Sequence, residues 1–101
     1  MLFVVVAIDK KDSLALRLSV REAHFAFARE TGRIKLGGPF LNEKGEMAGS
    51  LMIVEAPDLE TLRAWHASDP YVKAGLFESS DIRPWKPTFN PIAADFGEAA
   101  S

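Results

Sequence analysis

With 101 residues, the chain is long enough for one hydrophobic core and too short for two. Its composition, 48% hydrophobic and 26% charged, is that of an ordinary globular domain, and a formal net charge of -2 argues against nucleic acid or an anionic membrane as the main partner. The absence of cysteine excludes a disulfide framework, a thiolate nucleophile and a cysteine metal site, and it suits a reducing, cytoplasmic setting.

Residues 2–8 are β-branched and aromatic and end in a polar run, so they read as a buried strand. No basic residue precedes them and no small-residue cleavage site follows, so they do not read as a signal peptide. A run this short cannot cross a bilayer. A helix is expected over residues 12–30, capped by Asp12 or Ser13 and stopped by Gly32. Residues 33–38 form a short strand running into Gly37-Gly38-Pro39, and residues 42–49 read as a solvent-exposed connection. A third strand spans residues 51–55, after which Pro57 breaks the strand and Asp58 can cap a helix reaching about Ala67. Ser68-Asp69-Pro70 interrupts that helix, because a residue before proline is pushed out of the α region, and Pro70 opens a further turn over residues 71–75. Residues 76–85 are the last strand, although their alternation is mixed. We take residues 1–89 as one domain and residues 90–101 as a C-terminal tail with no clear period, loosely held or used between subunits.

The order β-α-β-β-α-β specifies an α+β fold, the ferredoxin-like sandwich, with an antiparallel sheet and both helices on one face. Leu2, Val4 and Val6 alternate with Phe3, Val5 and Ala7, so both faces of the first strand are apolar. Burying the second face calls for another sheet, most simply from a second copy of the chain, so a homodimer packed sheet to sheet is expected.

The first helix has an unusual inner face. Advancing about 100° per residue places Arg17, Arg21 and His24 in one arc of roughly 60°. Leu14, Leu18 and Phe25 border the arc on one side, and Leu16, Val20 and Phe27 on the other. Two guanidinium groups and an imidazole are costly in an apolar band unless something pairs with them or a cavity receives them. A single histidine on a helix is more often structural than catalytic, but three such groups together point to a site. Histidine can take and return a proton near neutral pH, and a carboxylate on its other nitrogen would fix its tautomer. Asp69, with its backbone held by Pro70, is the candidate for that partner, although it can equally cap the next turn. Arg17 is the candidate clamp for an anionic substrate or a developing enolate. For Arg21, snorkelling or pairing at a dimer seam is preferred. Gly37-Gly38-Pro39 either lets backbone approach a ligand or makes a tight strand exit. His66 follows Trp65 on the second helix, is expected to be exposed, and receives no role. No phosphate loop or dinucleotide fingerprint is present, and His24 with Asp69 falls short of a metal-ligand set, so neither cofactor nor metal is expected.

Together these residues resemble the YciI-like (YCII-related) family. The likeness covers the opening strand, Arg17-Leu-Ser-Val-Arg21 with Ala23-His24, Gly38-Pro39, Asp69-Pro70-Tyr71-Val72 with Ala74-Gly75, and Pro84-Trp85-Lys86-Pro87 at the last strand. It implies a dimeric α+β barrel similar to muconolactone isomerases, with a histidine and aspartate pair in a pocket at His24 and Asp69. Trp85 stands where a smaller aromatic is more usual, which would narrow the pocket. The expected function is cofactor-free acid/base chemistry of the lyase or isomerase type on a small anionic or aromatic molecule. In that reading His24 and Asp69 are catalytic, and Arg17, Gly38, Pro39, Tyr71 and Trp85 bind substrate. The alternatives are a non-catalytic metabolite-binding module and a structural dimer in which the arginines pair across the interface.

Overall fold

The computed structural model describes residues 1–89, so the tail expected over residues 90–101 lies outside the described residues. The elements run β1 (Leu2–Asp9), α1 (Leu14–Thr31), β2 (Ile34–Leu41), β3 (Met47–Glu55), α2 (Leu59–Ala67), α3 (Pro70–Lys73) and β4 (Phe77–Trp85). The four strands form one antiparallel sheet in the order β2-β3-β1-β4, the α+β ferredoxin-like arrangement that the element order predicts.

Strand register separates the two faces of this sheet. Phe3 lies opposite Val54 and Pro84, Val5 opposite Met52 and Ile82, and Ala7 opposite Ser50 and Ser80, all on the helix-covered side. Phe3, Val5, Met52 and Val54 pack with Ala56 and with Leu62 and Trp65 of α2 to form the core, and Phe27 of α1 joins them. Burying each large side chain is worth roughly 1.5–3 kcal/mol relative to exposure. The other face carries Val4 beside Ile53 and Val6 beside Leu51, with Leu36 and Phe40 of β2 continuing it. Ile8, Leu36 and Phe40 there are 40%, 46% and 37% exposed.

Several boundaries differ from those expected, for identifiable reasons. Gly37-Gly38-Pro39 is not a strand exit. β2 continues through it to Leu41, and β3 begins at Met47 because the hairpin ladder extends to a Leu41–Met47 pair. The connection therefore shrinks to residues 42–46, where Asn42 Oδ1 accepts from the backbone N–H groups of Lys44 and Glu46. Pro39 is tolerated because β2 is an edge strand. Neither Asp12 nor Ser13 caps α1 through its side chain. Ser13 sits at the cap position, but its hydroxyl donates to the Lys11 carbonyl, while Asp12 takes the left-handed turn at φ 57°. Gly32 closes α1 in the left-handed conformation, and Asp58 Oδ1 caps α2 by accepting from Thr61 N–H at 2.7 Å, both as expected.

The mixed alternation of the last strand also resolves. A bulge between the Ile8 and Asp9 pairings leaves Glu78 unmatched and brings Phe77 and Ser80 to the same face of β4. A second irregularity, between Ile34 and Leu36, turns Gly37 and Pro39 toward α1.

Candidate active site

After Asp9 the chain turns through Asp12 and enters α1 with Arg17 and His24 as the buried residues of that helix. The apolar borders of the arc are less covered than expected, with Leu16, Leu18 and Phe25 at 36%, 50% and 39% exposure. A buried guanidinium needs partners. Arg17 Nε donates to Asp9 Oδ2 at 2.8 Å, and Nη2 donates to Asp9 Oδ1 at 3.0 Å and to Ser50 Oγ at 2.8 Å. This paired geometry is the strong form of a charge-assisted hydrogen bond. Burial works to lower the Arg17 pKa, but the hydrogen bond and charge of Asp9 outweigh it and hold the group above its ordinary value.

Two turns further along the helix, His24 Nδ1 lies 2.9 and 3.1 Å from Oδ1 and Oδ2 of Asp69. Asp69 is completely buried at the N-terminus of α3, in the extended conformation that Pro70 imposes, and its Oδ1 also accepts from Tyr71 N–H at 2.9 Å. A carboxylate only accepts, so hydrogen-bond chemistry assigns the Nδ1 hydrogen to His24, and in the neutral ring Nε2 is then the nitrogen with the lone pair. Tyr71 joins the two charged clusters. Its ring stacks on the His24 ring at 4.2 Å, and Arg17 Cζ lies 4.7 Å from its centre. Burial pushes the Tyr71 phenol up, with the guanidinium charges of Arg17 and Arg21 pulling the other way.

A cavity of about 250 Å³ opens beside these groups. α1 contributes Arg17, Arg21, His24 and Phe25; β2 contributes Gly37, Gly38 and Pro39; β3 contributes Met47, Ser50 and Met52; Tyr71 completes the wall. The space exists because β2 places a glycine and a proline, not large side chains, on its α1-facing side. Among the described residues, no aspartate or glutamate lines it. The two carboxylates of the site, Asp9 and Asp69, are engaged by Arg17 and His24, and Arg21 adds a further cation to the lining.

The structure brings together His24, Asp69, Arg17, Gly38, Pro39 and Tyr71. It leaves Trp85 apart, at the end of β4 opposite Leu2 and away from this cavity. Arg17 is not a free cation, since Asp9 already matches its charge. His66 is buried and not exposed, with Nε2 2.9 Å from Ser80 Oγ, Nδ1 without a partner among the described residues, and its ring stacked on Phe77. α2 presents Leu62, Trp65 and His66 inward, an i, i+3, i+4 set that helical spacing from Leu62 could have identified. Asp9 and Ser50 escape a reading by motif, yet period-two counting from Phe3, Val5 and Ala7, and from Val54 and Met52, leads to both. Among the described residues, no three His, Asp or Glu side chains converge as a metal would need.

Comparison with known proteins gives a consistent picture. Residues 1–86 match the model of the YCII-related domain family. Protein YciI of Escherichia coli O6:H1 is 42% identical, with 88% of this chain and 100% of that protein aligned. An uncharacterized protein of Haemophilus influenzae is 32% identical with the same coverage, 88% and 100%. Among solved structures, the 5-chloro-2-hydroxyhydroquinone dehydrochlorinase TftG of Burkholderia phenoliruptrix AC1100, in complex with 2,5-dihydroxybenzoquinone, superposes with a TM-score of 0.79 at 32% identity, covering 86% of this chain and 95% of that one. An antibiotic biosynthesis monooxygenase aligns at a TM-score of 0.54 and 16% identity, a likeness of fold alone.

Proposed function

The chain belongs to the YCII-related domain family, and from that premise we propose that it is a small-molecule enzyme of the lyase or isomerase type, using His24 as general acid/base. The observation that carries this reading is the His24–Asp69 pair, 2.9 Å apart and buried, on a histidine that lines a cavity. His24 Nε2 takes a proton from the bound molecule, Asp69 stabilises the imidazolium that forms, and the proton is returned at another atom or lost to solvent. Tyr71 keeps the imidazole ring in plane by stacking and holds Asp69 through its backbone N–H. The likeness to TftG supports the class of chemistry, since dehydrochlorination removes a proton together with chloride and so needs a base.

A cavity of about 250 Å³ suits a single substituted ring, because a cavity of about 150 Å³ already accepts benzene. We therefore take the substrate to be a small anionic or aromatic molecule. The reading includes a homodimer, in which a second copy covers the apolar sheet face formed by Val4, Val6, Leu51 and Ile53, and a cytoplasmic setting. Among the described residues, no helix is long and apolar enough to cross a membrane.

The test is a thermal-shift screen of hydroxylated quinones and ring acids, followed by turnover and solvent deuterium exchange on the molecules that bind. His24→Asn should lower the rate by about 10²–10⁴-fold with the melting temperature preserved, and Asp69→Asn should also slow it. Unchanged turnover in His24→Asn, or ligands that bind the wild type and are never exchanged or converted, would overturn the enzymatic reading.

A further inference from the structure

Arg17 and Arg21 both line the cavity, but they differ in what already holds them. Arg17 is 3% exposed, and its Nε and Nη2 donors are committed to Asp9 and Ser50. Arg21, one turn further on, is exposed, and among the described residues no carboxylate pairs with it. Its Cζ rests 5.2 Å from the centre of the Phe25 ring, which also lines the cavity. Among the described residues that line the cavity, Arg21 is therefore the cation whose charge is left to act on whatever enters. Residues three and four apart on a helix have Cβ atoms about 5–6 Å apart, so the Arg21 guanidinium and His24 Nε2 can reach opposite edges of one six-membered ring. The remaining walls at Met47, Met52 and Pro39 offer such a ring apolar surface and no competing negative charge.

We propose that Arg21, steadied against Phe25, is the residue that selects substrates carrying a formal negative charge, binding a carboxylate or acidic hydroxyl of a single-ring molecule whose reacting atom lies at His24. This rests on the reading of the cavity as a substrate site but not on turnover, so it is tested by binding. The probes are 2,5-dihydroxybenzoquinone, which ionises readily and is anionic at neutral pH, and its neutral dimethyl ether, 2,5-dimethoxybenzoquinone. Calorimetric titration of wild type at low and high salt should show tighter, salt-sensitive binding of the acid. In Arg21→Gln the affinity for the acid should fall about 10- to 100-fold while that for the ether is unchanged, and Arg21→Lys should recover much of the loss. His24→Asn should keep the preference for the acid.

Equal losses for both probes in Arg21→Gln, no loss for either, a wild type that binds neither or does not prefer the acid, or a preference that disappears in His24→Asn would each overturn the assignment. Failure of the His24→Asn turnover test alone would remove the catalytic reading and leave the Arg21 selectivity standing.

Discussion

Arg17 and His66 are both buried nitrogen bases, and the fold treats them in opposite ways. Arg17 keeps its charge, because Asp9 accepts from it twice and Ser50 once; a buried pair of this kind costs about 3–5 kcal/mol to break from one side. Among the described residues, His66 has only Ser80 Oγ as a hydrogen-bond partner, and burial pushes its pKa below the ordinary 6.5, against the charge of Asp69. Well above pH 6.5 the ring is neutral in folded and unfolded chains alike. As the pH falls below that value, the unfolded chain takes up a proton that the folded one resists, and stability declines until the folded pKa is passed. Denaturant unfolding between pH 7 and pH 5 should therefore show a shallower loss in His66→Gln, which can still hydrogen-bond Ser80, than in wild type. Parallel curves for the two proteins would contradict this. His24 and Asp69 were legible in the sequence because each sits under a local rule, helical spacing for one and the Asp-Pro constraint for the other. Asp9 was hidden in the polar run that ends β1, and only its place on the helix-facing side of the strand reveals it as the partner of Arg17.

At the scale of elements, the cavity is a consequence of register. The irregularity near Lys35 turns Gly37 toward α1, opposite Met52, where its backbone forms part of the cavity wall. A Cβ at Gly37 would meet Ile34 Cγ2 at 3.4 Å and Met52 Cγ at 3.6 Å, ordinary contact distances. Gly37→Ala should therefore keep ligand binding, whereas Gly37→Leu should fill the cavity and abolish the ligand-induced thermal shift with little change in the unliganded melting temperature. Retained binding in Gly37→Leu would place the ligand elsewhere. Gly37-Gly38-Pro39 read as either a ligand approach or a strand exit because composition does not report pairing. The β2–β3 ladder decides between these by carrying the strand to Leu41. The bulge at Glu78 works in the same way, since a one-residue shift in pairing flips every later side chain and blurs the alternation that marks a strand.

At the scale of the whole molecule, the helices cover one face of the sheet and leave Val4, Val6, Leu51 and Ile53 on the other, with Ile8, Leu36 and Phe40 substantially exposed. A contiguous apolar sheet face of this kind marks an association surface. Val6 lies near its centre, between Leu51 and Asp81. If the proposed sheet-to-sheet homodimer forms, Val6→Asp should convert it to monomer in analytical ultracentrifugation and remove the dependence of melting temperature on protein concentration. A wild type that is monomeric at micromolar concentrations would refute the sheet-to-sheet assembly.

The amino-acid sequence by itself determined the order of elements, the two-sided apolar character of β1, and the presence of polar nitrogen groups on the inner face of α1, because each is a matter of local periodicity. It also marked Asp69 as the partner for His24, through the constraint that Pro70 places on its backbone. Only the tertiary structure decided that Asp9 pairs with Arg17, that no carboxylate among the described residues pairs with Arg21, that His66 is buried and that Gly37 lines a cavity. Those outcomes depend on which strand residue lies across from which helix residue. That relation is set by bulges, register and helix placement, over separations in sequence that no local pattern spans.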